Sequence, residues 1–182
     1  MDYTIPSSWK EVTLRQYIDL MCIDEKLTSS EKIFQTLSIL LGISIRQAKK
    51  LSAAEFALIE KSLEWSNSLP VGKFDMRVKI KDREYAIIPN LESLSIGEFI
   101  DIEEYASNFN TQVHNLISVL YRPIVEEGEW GYKVEDYDSE KCRGRAEIFL
   151  DHFSVEDAQA ASVFFSLIAS GYLTISPESL VN

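Results

Sequence analysis

Few side chains in this sequence are of the kinds that do acid–base or covalent chemistry. It holds two histidines, His114 and His152, and two cysteines, Cys22 and Cys142. His114 stands beside the apolar stripe Val113, Leu116, Ile117 and Leu120, where packing and a hydrogen bond account for an imidazole without a catalytic role. His152 follows Asp151 near the end of a predicted helix and complements its terminal carbonyls. Cys22 and Cys142 occupy or border apolar stripes, which is the setting of buried structural cysteines. A nucleophilic Cys–His pair would need an activating context that the neighbouring residues do not supply. The carboxylate pairs Glu103-Glu104, Glu126-Glu127 and Asp136-x-Asp138 lack the ligand count and glycine placement of a calcium loop. On a helix, Glu103 and Glu104 would point about 100° apart. No phosphate-binding loop, dinucleotide fingerprint, nucleophile elbow or zinc-protease motif occurs. The expectation is a non-enzymatic chain with no metal and no cofactor.

Charge is distributed unevenly. The net charge is −11, and between Glu126 and Glu140 seven acids (Glu126, Glu127, Glu129, Glu135, Asp136, Asp138, Glu140) face one base, Lys133. Lys73 to Arg83 instead holds five bases against Asp75 and Asp82. Arg77, Lys79 and Lys81 share one face of a regular strand. Two readings stand open. The charges solvate exposed faces and discourage strand-edge pairing. Alternatively, the basic segment of one copy meets the acidic segment of the next, a heterologous contact that closes into a ring where the rotation permits. Trp130, Tyr132 and Tyr137 lie inside the acidic segment, either as interface anchors or as pins holding a loop to its own core. The candidate interface is therefore Arg77, Lys79 and Lys81 with Glu126, Glu127, Glu129, Trp130, Tyr132, Asp136, Tyr137 and Asp138. Overall acidity argues against nucleic-acid binding by blanket phosphate neutralisation.

The elements that must carry these residues are mostly helical. Thr13 precedes Leu14, Tyr17, Ile18 and Met21 at helical spacing. Ser29-Ser30 could cap a helix over Ile33 to Leu41 that Gly42 ends. Ser44 with Gln47, Ser52 with Glu55, and Ser95 with Glu98 fit the capping-box spacing, and Ser154 with Asp157 fits an N-terminal cap. Val113 to Leu120 forms a helix that Pro123 terminates, and Cys142 to Phe153 forms another after an irregular stretch. The last helix, with Val163, Phe164, Phe165, Leu167 and Ile168, is apolar around most of its circumference. It either forms the centre of the core or packs one side on a partner. Between the two helical sets, Met76, Val78 and Ile80 alternate with bases, and Asp82-Arg83 leads into Glu84 to Ile88, a β-hairpin.

A weak internal repeat organises these elements. Val12 to Leu20 aligns without gaps on Leu94 to Ile102 at an offset of 82, and Ile33 to Leu41 on Val113 to Tyr121 at an offset of 80. The expected fold is mainly α, with about seven to eight helices in two related units joined by a small β-hairpin. The units would be 1–70 and 91–182, the linker 71–90, with an acidic insertion at about 122–141 in the second unit. No apolar run is long enough to span a bilayer. The N-terminus lacks the basic and apolar regions of a signal peptide, and two cysteines make no disulfide framework, so a reducing compartment is expected.

The succession T-L-R-Q-Y-I-D-L at 13–20, S-I-L-L-G-I-S at 38–44, S-L-E-W at 62–65, S-I-G-E-F-I-D-I-E-E-Y at 95–105, L-I-S-V-L-Y-R-P at 116–123 and a late F-F has a familiar look. It resembles small helical proteins encoded among the head–tail structural genes of tailed bacteriophages, particularly crAss-like and related phages of Bacteroidota. The resemblance implies a virion or assembly role, with assembly in the host cytoplasm. One form is a homo-oligomeric ring of the portal-proximal connector or tail, touching other portal or tail proteins. The other is a tail-assembly chaperone that binds a tail or tape-measure protein and is absent from the mature particle. Neither form implies a membrane or sequence-specific nucleic acid.

Overall fold

The computed structural model describes residues 3–89, 94–128 and 131–169. Among them are eight α-helices and four strands. The helices are α1 (Leu14–Met21), α2 (Ser29–Leu41), α3 (Ile45–Ala48), α4 (Ala53–Ser62), α5 (Ile96–Ser107), α6 (Phe109–Leu120), α7 (Ser139–His152) and α8 (Val155–Ala169). The strands are β1 (Arg77–Ile80), β2 (Arg83–Ile87), β3 (Tyr121–Gly128) and β4 (Gly131–Val134). The fold is mainly helical with one small antiparallel sheet, ordered β1-β2-β3-β4.

Local chemistry sets most helix starts. Thr13, Ser44, Ser52 and Ser95 each close a capping box with the Gln or Glu three residues on. Each such cap stabilises its helix by about 1 kcal/mol. The cap of α2 is Thr28 rather than Ser29 or Ser30, because Glu31 stands three residues after Thr28 and completes the reciprocal pair. Gly42 ends α2 at φ 63°, in the left-handed region where a Cβ would be strained.

The segment expected to be an irregular acidic insertion is instead half of the sheet. Pro123 does end the helical run, since it has no N–H to continue it, but its carbonyl accepts from Glu135 N at 2.9 Å. Tyr121, Arg122 and Pro123 pair with β2. After a register shift at Val125, Glu126 to Gly128 pair with β4. The basic and acidic segments are therefore two hairpins of one sheet. Lys81 leaves the face of Arg77 and Lys79, because it sits in the two-residue turn at φ 56°.

The main core centres on α6, where Val113, Leu116, Ile117, Val119 and Leu120 are buried. Each contributes roughly 1.5–3 kcal/mol of burial. The last helix is not the centre. Val155, Ala158 and Ala161 of α8 are buried in this core, while Phe164 and Phe165 are half-buried at its margin. Val12 and Leu14 also join this core. Backbone bonds from Leu14 N to Phe153 O and from Val155 N to Val12 O pin α1 to the junction of α7 and α8. A smaller core gathers Leu37, Leu41, Ile43, Ala48 and Ile59 from α2 to α4.

Candidate interaction surface

The sheet brings part of the candidate interface together within one chain. Arg77 on β1 reaches across to Glu127 on β3, with Nη1 2.9 Å from Oε1. Its guanidinium lies over the Tyr132 ring, 4.7 Å from the centroid. Tyr132 in turn donates its O–H to the Ile87 carbonyl at 3.0 Å, and burial pushes its phenol up to about 12. Arg77, Glu127 and Tyr132 thus form a unit that fastens the outer strands over β2.

The remaining predicted residues are dispersed. Lys79 is exposed on β1, and Lys81 is exposed at the turn. Glu126 is exposed opposite Lys133. Asp136 is exposed, while Asp138 caps α7 by accepting from the N–H groups of Glu140 and Lys141. Tyr137 is half-buried and donates to Asp101 on α5; burial, with that carboxylate beside it, raises its phenol. Glu129 and Trp130 lie outside the described residues, as does the C-terminal segment 170–182.

Two ion pairs, each with a buried arginine, escaped the sequence reading. Arg122, the second residue of β3, donates from Nη2 to Glu98 Oε1 at 2.8 Å, and both side chains are buried. Glu98 uses its other oxygen to accept from Ser95 N, so one carboxylate caps α5 and anchors β3. Arg145 on α7 pairs with Glu135, also touched by Lys141, and Arg145 reaches the Ser118 carbonyl and Cys142 Sγ. Burial alone would raise the Glu135 carboxyl, yet the hydrogen bond and charge of Arg145, with Lys141, hold it below the usual carboxylate range. The signal for the first pair was an arginine inside the largely apolar run Leu116 to Ile124, since a buried guanidinium must find an acid.

The residues first considered for chemistry do not converge. His114 is half-buried, its Nδ1 has no hydrogen-bond partner among the described residues, and desolvation lowers its pKa, which favours the neutral ring. Cys142 is buried and burial pushes its thiol up, away from the thiolate a nucleophile needs. Cys22, expected on an apolar stripe, is exposed at the end of α1. Glu103 and Glu104 lie exposed on α5. Among the described residues, no group of three or more His, Cys, Asp or Glu side chains is placed to hold a metal ion. No helix among them is long and apolar enough to cross a membrane.

Large apolar side chains are exposed at several places among the described residues, and two of these are clusters. One is an apolar groove of about 730 Å³, lined by Trp9, Tyr17, Leu69, Val71, Phe74 and Phe164 among others. The other is the outer face of α5, with Ile96, Phe99 and Ile100. The chain matches no protein-family model, no curated protein and no solved structure.

Proposed function

We propose that this chain is a non-enzymatic structural protein that self-assembles, as a ring in the portal-proximal connector or tail of a tailed-phage particle. The resemblance noted above supplies the setting, and one observation carries the assembly role: apolar side chains exposed in clusters, in the groove and along α5. Clustered apolar exposure of this kind marks contact surfaces in soluble proteins. In this reading, 1–70 and 91–182 are two related helical units held by the sheet that grows from the 71–90 linker. The exposed charges Lys79 and Lys81 on one hairpin, Glu126 on the other and Asp136 just beyond it are then rim contacts that steer subunits into register.

Quantitative mass spectrometry of purified virions tests the setting, and mass photometry of the purified protein tests self-association. The expected results are a fixed multiple-copy number in the particle and an oligomer in solution. Absence from the particle with abundance in infected cells would replace this reading with a tail-assembly chaperone.

A further inference from the structure

The internal repeat carries a second message when the exposure of its matched positions is compared. In α1, the stripe Leu14, Tyr17 and Ile18 is packed against the main core. Tyr17 sits edge-on to Phe109, and its O–H donates to Asn110 Oδ1 at 2.9 Å, so the first unit's leading helix is seated on the start of α6. At the offset of 82, the matching residues of α5 are Ile96, Phe99 and Ile100. They are 80%, 49% and 54% exposed. The receiving side shows the reverse gap. Val113, near the start of α6, is fully buried, but its match in α2, Ile33, is 42% exposed. The leading helix and the receiving helix of the contact made inside the chain thus each have a sequence counterpart that is more exposed.

The flanking charges agree. Ile96–Ser107 holds Glu98, Asp101, Glu103 and Glu104 and no base, and Glu98 alone is neutralised, by Arg122. Residues 26–50 hold Lys26, Lys32, Arg46, Lys49 and Lys50 against the single acid Glu31. Lys49 lies 5.6 Å from the centroid of Phe34, the neighbour of Ile33, with Glu31 also within its electrostatic reach. The helix with the apolar stripe is thus acidic in sequence, and the segment that carries the apolar spot of α2 is net basic.

We infer that the α5 stripe of one copy seats on the α2 start of the next copy, repeating between chains the α1–α6 contact made within each chain. This rests on the proposed self-assembly and specifies its interface. The contact is heterologous, because the two surfaces differ, and so it propagates head to tail and ends only by closing.

The test uses the full chain and mass photometry across protein concentration. Ile100→Asp and Ile33→Asp both replace exposed side chains, so each variant keeps the wild-type circular dichroism. Each should weaken assembly by about tenfold or more, the cost of losing one buried aliphatic contact. Mixed together, the two variants should form a one-to-one dimer and nothing larger, because each retains one intact surface. A second measurement avoids reliance on folding of charged variants. Ile33→Cys with Ile100→Cys, in a Cys22→Ser background, should give a ladder of covalent multimers with a short bifunctional maleimide. An oligomeric wild type that both Asp variants leave unchanged, with no ladder, overturns this interface and leaves self-assembly standing. A wild type that is monomeric at every concentration overturns both.

Discussion

Two Arg–Glu pairs fasten β3, and they differ in nearly everything but chemistry. Glu98–Arg122 ties the strand's start to α5 with both side chains under 10% exposed, at 7% and 5%. Arg77–Glu127 ties its end to β1 with side chains 41% and 57% exposed. Water solvates the second pair whether or not it forms, so its loss changes little. The first pair left water on folding, and each member depends on the other. Environment, rather than the count of acids and bases, decides which charges the fold relies on. The same holds for the acidic segment as a whole. Of its seven acids, Glu127 and Glu135 are bound to arginines and Asp138 caps a helix, whereas Glu126 and Asp136 stand exposed without such duties.

Breaking the buried pair should have the largest effect. Arg122→Met leaves Glu98 as a buried carboxylate without its cation, which costs about 3–5 kcal/mol. Urea unfolding should show that loss, and the double variant Arg122→Met/Glu98→Gln should recover much of it, because the stranded charge is gone. Recovery of nothing would mean that the pair acts through geometry at the cap of α5 rather than through charge.

Arg145–Glu135 lies between the extremes and is expected to behave so. Arg145→Met should cost about 2 kcal/mol, less than Arg122→Met because Glu135 is partly open to water and keeps Lys141. The lowered carboxyl of Glu135 also predicts a pH signature. Unfolded Glu135 takes up its proton before the folded one does. The pair's stabilisation is therefore present above the ordinary carboxylate pKa of 4.5 and is lost as pH falls below it toward the folded value. Stability measured from pH 3 to 7 should fall more steeply in that acid window for the wild type than for Arg145→Met.

What the sequence made legible follows the reach of each interaction. The caps at Thr13, Ser44, Ser52, Ser95 and Ser154 were readable because donor and acceptor lie three residues apart. The first hairpin was readable from its alternation. The second was not, because Glu126 and Glu127 follow one another where an alternating strand would place an apolar residue, and Pro123 reads as a breaker. Its strand status comes from β2, a partner more than thirty residues away. The candidate interface was legible only as charge. Nothing local could tell that Arg77 would find Glu127 inside its own chain, or that Arg122 would be buried at all. The bare stripe of α5 was visible as a helical stripe, but its exposure became evident only once α1, its sequence match, was seen to be covered.

The smallest effect is expected at the exposed pair, and it has more than one component. Arg77 holds Glu127 by charge and covers Tyr132 by stacking, so Arg77→Ala removes both, for a total under about 1 kcal/mol. Arg77→Lys keeps the charge but not the planar stack, and separates the two contributions. A double-mutant cycle of Arg77→Ala with Glu127→Gln should give a coupling of a few tenths of a kcal/mol that fades in 1 M salt, where the screening length falls to about 3 Å. A coupling above about 2 kcal/mol that survives salt would place this pair with Glu98–Arg122. Such a value requires water to be excluded from it, as when another chain covers this sheet surface. The measurement is therefore best made on both sides of the association midpoint. A coupling that grows on assembly would put the sheet inside the subunit contact, and one that stays constant would confine that contact to the helices.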